Sequence, residues 1–141
     1  MELNIHLSYE EILNQLLKEI PQIKNAVVAT FDGILIASTF SMDNTDTRIA
    51  ALMAAIISLS KNAVNEMHEG VFNQISIKGS DGSIIILQID PKSILLITLE
   101  NLINLKHLLH KLIQFNIDGY YPFQSLFTFS YSSRESRWRD Y

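Results

Sequence analysis

Apolar residues change period along this chain, from helical to alternating and back, and the changes mark out its elements. Ile12, Leu13, Leu16, Leu17 and Ile20 recur at the spacing of one helix face. Ser8-Tyr9-Glu10-Glu11 forms a capping box before them, with Ser8 placed to accept from a free backbone N–H and Glu11 placed to reach back. Pro21 closes this helix, because the residue before a proline is biased away from the helical region. Between Asn25 and Ser38 two apolar runs, AVVATF and ILIAS, flank Asp32-Gly33, a dipeptide that suits a tight type I′ hairpin. Ala26 to Phe31 is apolar on both alternate faces apart from Thr30, as expected of a strand covered by helices on both sides.

A polar connection from Phe40 to Asn44 leads into the longest apolar stretch, with Asn44 or Asp46 as its cap. Ile49 to Ser60 reads IAALMAAIISLS, twelve residues without a charge, and a helix of ~20 residues and ~30 Å is expected here. Ile49, Leu52, Met53, Ile56, Ile57, Leu59, Ala63, Val64 and Met67 form a broad apolar face suited to a sheet. Ala51, Ala54, Ala55, Ser58, Asn62 and Asn65 line the other side, where small uncharged residues let a second helix approach closely. Gly70 is placed to end the helix as its C′ residue, with His68 in the last turn.

Beyond it, Phe72 to Lys78 alternates, Ile75 and Ile77 against Gln74, Ser76 and Lys78, so this strand lies at an edge or has one wet face. An exposed edge must be protected or used. Ser80-Asp81-Gly82-Ser83 and Asp90-Pro91-Lys92 are turns bounding Ser83 to Ile89, an interior strand, and Ile94 to Leu99 is the last one. Leu102, Leu105, Leu108, Leu109, Leu112 and Phe115 define a final amphipathic helix with Lys106, His107, His110, Lys111 and Gln114 outside. The result is an α/β (α+β) three-layer sandwich: a five-stranded antiparallel sheet with helices on both faces, in the order α-ββ-α-βββ-α. Residues 1–116 make this domain, and 117–141 form an aromatic-rich C-terminal extension. Phe127, Phe129 and Tyr131 alternate there with polar residues, and with Trp138 they are candidates for docking a partner, while the simpler alternative is a tail that folds back over the domain. Arg134, Arg137 and Arg139 near Trp138 are diluted by Glu135 and Asp140 as a membrane-surface patch.

Composition narrows the function. A net charge of −4 gives no electrostatic footprint for nucleic acid, and the absence of cysteine excludes disulfides and thiolate metal sites. MELNIHLSYE lacks a basic start and an apolar core, and no apolar run reaches the ~18 residues of a membrane span, so no transmembrane segment and a cytoplasmic location are expected.

The ordered segments VVATFDGILIAS, RIAALMAAIISLSKNAVNEMHEG, ISIKGSDGSIIILQID and SILLITL resemble the roadblock family, the dynein light-chain and small-GTPase-regulator fold, over roughly residues 8–116. Asn25 stands near a position where many members carry glycine, and residues 117–141 extend past the usual end of the fold. The resemblance implies a roadblock/profilin-like architecture. It also implies a homodimer, or a heterodimer with a paralogue, joined by the central helices and the following edge strand and serving a Ras-like small GTPase as scaffold or regulator. On this chain the contact falls on Ala51, Ala54, Ala55, Ser58 and Asn62 of the helix and Gln74, Ile75, Ser76 and Ile77 of the strand.

Catalytic signals are weak. The chain lacks G-x-x-x-x-G-K-[ST], G-x-G-x-x-G and H-E-x-x-H. His107 and His110 share a helix face without further ligands nearby in sequence, Asp32, Asp81 and Asp90 all fall in turns, and Arg48 is a lone arginine at a helix start. A non-enzymatic role without cofactor is expected. The rival expectation is a small-ligand sensor with a cavity between sheet and helix, for which the apolar faces offer few convergent polar groups.

Overall fold

In the computed structural model, which describes residues 8–40, 45–100, 104–124 and 126, the capping box forms as the sequence requires. The Glu11 N–H donates to Ser8 Oγ at 3.3 Å, and helix α1 runs from Tyr9 to Glu19 with Ile12, Leu13 and Leu16 buried. Pro21-Gln22 turns the chain into β1 (Ile23–Thr30), which pairs with β2 (Leu35–Ser38).

The hairpin between them is a three-residue loop rather than the two-residue type I′ turn. Thr30 N–H donates to the Ile34 carbonyl at 2.9 Å, and Gly33 N–H donates back to the Thr30 carbonyl at 3.0 Å. A type I′ turn needs positive φ at both central residues, but only Gly33 has it here, at +86°. The arrangement is the loop in which a left-handed glycine follows a type I turn. Further along, Ala29 pairs with Leu35 and Val28 with Ala37, so Ile36 is an extra residue, a β-bulge on β2. It places Leu35 and Ala37 in different core clusters.

Helix α2 (Thr45–Glu66) crosses to the second half of the sheet: β3 (Gln74–Lys78), β4 (Ser83–Gln88) and β5 (Ser93–Leu99), followed by α3 (Leu105–Gln114). The strand order is β2-β1-β5-β4-β3 and all neighbours are antiparallel. β3 is an edge, as its alternation requires, and Phe72 precedes it as a buried residue rather than a strand member. Asn104 caps α3 by accepting from Lys106 N–H at 3.0 Å, while Leu102 lies outside the described residues.

Apolar strands on both faces produce two core layers. α1 and α3 cover one face with Ile12, Leu16, Leu108 and Leu112 against Val28, Ile85, Leu95 and Ile97. Met53 and Ile57 of α2 cover the other, against Val27, Ile86, Ile94 and Leu96. The first core layer continues past residue 116: Phe123 and Leu126 are buried in it, and the Phe123 ring stacks on Phe115 with centroids 5.8 Å apart.

Candidate interaction surface

α2 is the element with surface to spare. Its buried residues are Ala50, Met53 and Ile57, with Ile49 and Ile56 half-buried beside them. The expected sheet face is therefore too wide. Leu52 and Leu59 are 61% and 71% exposed, and Ala63 and Met67 are also exposed. The helix is long and apolar enough to cross a membrane, yet only 17% of its most apolar window is buried within the chain. It is instead anchored to the sheet along one narrow line.

The hairpin of β1 and β2 sets which line. A Cβ at Gly33 would lie 3.2 Å from Ala54 Cβ and 3.4 Å from Ala51 Cα, so the loop and helix backbone approach as closely as small residues allow. The Lys61 ammonium sits 4.0 Å above the centre of the Phe31 ring, a second tie between hairpin and helix. Ala54, expected on an outward flank, is half-buried through this approach. Ala51, Ala55, Ser58 and Asn62 are exposed. Leu52 and Leu59, expected on the sheet face, stand outward instead. The sequence carries them as a second apolar line, Leu52, Ala55 and Leu59, at the same spacing as the buried line Ala50, Met53 and Ile57.

The helix ends on a residue other than the expected glycine. His68, at φ 57°, takes the left-handed position, its N–H donating to the Asn65 carbonyl and that of Glu69 to the Val64 carbonyl at 3.0 Å. Gly70, at φ 90°, makes the next bend, and the exposed Val71 leads to β3. On that strand Gln74 and Ile75 are half-buried, Ser76 is exposed and Ile77 is 38% exposed, with the outer backbone edge beyond them. Phe127, Phe129, Tyr131 and Trp138 lie outside the described residues.

The polar groups serve structure. Asp90 accepts from Lys92 N–H at 2.7 Å within its turn, and from the Tyr9 hydroxyl at 3.1 Å, tying α1 to the β4–β5 turn. Burial, then the Asp90 carboxylate, pushes the Tyr9 phenol up from 10.0 to about 12. Asn25 has a use that glycine could not supply: its Oδ1 accepts from the Thr39 hydroxyl at 3.2 Å, while Thr39 Oγ1 accepts from Ala26 N–H at 2.9 Å. His107 and His110 are exposed on α3, and among the described residues no three His, Asp or Glu side chains gather as a metal site.

Comparison with known proteins places this arrangement. The family model of the Roadblock/LC7 domain matches residues 9–99. The chain belongs to the roadblock family. Among solved structures, MglB of Myxococcus xanthus is 19% identical with a TM-score of 0.63, over 75% of this chain and 80% of that one. A Roadblock/LC7 domain from Streptomyces avermitilis is 14% identical with a TM-score of 0.67, over 93% of this chain and 96% of that one. MglB of Thermus thermophilus, described as a gliding protein, is 15% identical with a TM-score of 0.57, over 68% and 73% respectively. These likenesses share the roadblock fold. A search of curated proteins gives no match.

Proposed function

We propose that this roadblock protein is a non-enzymatic scaffold or regulator in the cytoplasm that dimerises and presents the paired surface to a Ras-like small GTPase. The observation that carries the reading is the combination, on one protomer, of an apolar helix flank and a strand that lies at the sheet edge among the described residues. Leu52 and Leu59 stand out from α2, with Ala51, Ala55, Ser58 and Asn62 around them, and β3, along Gln74 to Ile77, is an outer strand of the sheet with no strand beyond it among the described residues. Burying the helix flank and pairing the edge answers both needs with one partner. Similarity to MglB supports a roadblock protein of this type, and the family resemblance supplies the GTPase.

A dimer creates a surface that neither protomer has alone, and a GTPase docked there feels an effect on its nucleotide cycle only if its GDP and GTP forms bind with different affinity. The test is co-purification with the Ras-like GTPases of the same organism, each loaded with GDP or a non-hydrolysable GTP analogue. Tighter binding of one form is expected. Equal binding of both would leave scaffolding and remove regulation, and failure to bind any would overturn the proposal. Phe127, Phe129, Tyr131 and Trp138 are a second docking element in this reading, tested by ending the chain after Leu126 and repeating the measurement.

A further inference from the structure

Helix α3 carries charge of one sign only. From Asn101 to Ile117 the chain has no acidic residue, although its net charge is −4. Leu105, Leu108, Leu109 and Leu112 turn toward the core, which leaves Lys106, His107, His110, Lys111 and Gln114 on the outer side, Lys111 half-buried and the others exposed. They run in two files at steps of four residues, Lys106, His110 and Gln114 in one and His107 and Lys111 in the other, along about 12 Å of helix. Among the described residues none of the two lysines and two histidines has its side chain in a hydrogen bond or an ion pair.

α1 lies in the same layer and has the opposite character. Glu10, Glu11 and Glu19 are exposed along it with Lys18, so with histidine counted as neutral the two helices together carry no net charge. That balance decides the kind of partner. A broad anionic surface, whether a lipid bilayer or a nucleic-acid backbone, would meet the α1 carboxylates together with the α3 ammonium groups and gain little, because helices packed in one layer stand about 8–10 Å apart and charges act over about 8 Å at physiological salt. A segment narrow enough to follow α3 alone meets hydrogen-bond donors and positive charge. Its matching chemistry is carboxylate at one-turn spacing, as a helix with Glu or Asp at every fourth position presents it.

We propose that the outer side of α3 is a second docking surface and that its occupant is an acidic helical segment of another protein, its carboxylates set against Lys106 and Lys111 and accepting from His107 and His110. The surface stands on the face of the sheet opposite α2, so a segment held there leaves the α2 flank uncovered. It depends on neither the dimer nor the GTPase of the reading above, and its test uses neither. Charge supplies orientation and selectivity here, and the contact is salt-sensitive for that reason.

The test is made on the full chain with a synthetic probe. Fluorescence anisotropy at low salt measures binding of a labelled Ala- and Gln-based peptide of about 15 residues, long enough to turn helical, with Glu at every fourth position. The same peptide with Gln in place of each Glu is the neutral control, and vesicles of phosphatidylserine and phosphatidylcholine offer a broad anionic surface. The acidic peptide should bind and the neutral one should not. The double variant Lys106→Glu, Lys111→Glu should weaken binding roughly tenfold or more, because two repulsive contacts replace two attractive ones. Lys92→Glu, which reverses an exposed charge in the β4–β5 turn, should leave binding unchanged, and circular dichroism confirms that each variant folds. Amide shifts of the wild type on adding the acidic peptide should be confined to α3. No binding of the acidic peptide overturns the proposal, and so does equal weakening by Lys92→Glu, which would show attraction spread over the whole surface. Vesicle binding that the double variant abolishes would assign α3 to a lipid surface and overturn the choice of a protein segment.

Discussion

Gly33 shows how a single residue decides the placement of a helix. Its φ of +86° suits glycine, and the space a Cβ would occupy is already bounded by Ala54. Gly33→Ala is therefore expected to lower stability by about 1–2 kcal/mol through the left-handed backbone alone, with the Ala54 contact adding to it. Urea denaturation measures the loss, and an unchanged midpoint would show that the loop relaxes freely. Tyr9 gives a pH-dependent counterpart. Its folded pKa, about 12, lies above the ordinary 10.0, so the stabilisation is fully present below pH 10.0 and is lost as pH rises through about 12. The stability margin of wild type over Tyr9→Phe should accordingly shrink across that window, and a margin constant with pH would remove the assigned cause. Thr98 is a residue of another kind, its Oγ1 buried without a hydrogen-bond partner among the described residues. Thr98→Val is expected to be neutral or to stabilise by up to ~1 kcal/mol, as replacing an unsatisfied hydroxyl removes a desolvation cost.

At the scale of elements, periodicity and turn chemistry carried most of the fold. The capping box at Ser8, the glycine-containing turns, the alternation of β3 and the apolar runs of β1, β4 and β5 each point to one local structure, and the element order follows from them. α2 was harder for a physical reason. Its twelve uncharged residues present apolar side chains around most of the circumference, so spacing alone does not choose the buried line. The choice belongs to the approach of Gly33, a contact between segments far apart in the helix pattern. The bulge at Ile36 and the left-handed His68 were equally invisible, since both depend on pairing or chain direction beyond their neighbours. The stretch after α3 folds back in part, as one of the two sequence readings had it. Phe123 is fully buried, and Phe123→Ala should cost ~3–5 kcal/mol, a loss that ending the chain after Asn116 should at least match. Equal thermal stability of full-length and shortened chains would mean that these aromatic contacts contribute nothing.

For the molecule as a whole, the two faces of the sheet are covered unequally. α1 and α3 share one face, with Phe123 and Leu126 in the same core, while α2 is the one helix over the other face among the described residues and keeps an apolar flank outward. If that flank is buried between copies, folding and association are linked, and the thermal midpoint should climb as protein concentration increases from micromolar upward. A midpoint independent of concentration would count against the linkage. The two margins of the sheet also differ in kind. β3 is regular along its pairing with β4, whereas β2 is four residues long and kinked by the extra Ile36. A strand so short and bent makes a poor template for an incoming neighbour. If copies join through β3, a blunt margin is left at each far end, so assembly along the sheet would close at a pair and spare the protein the open-ended filaments that two serviceable margins invite.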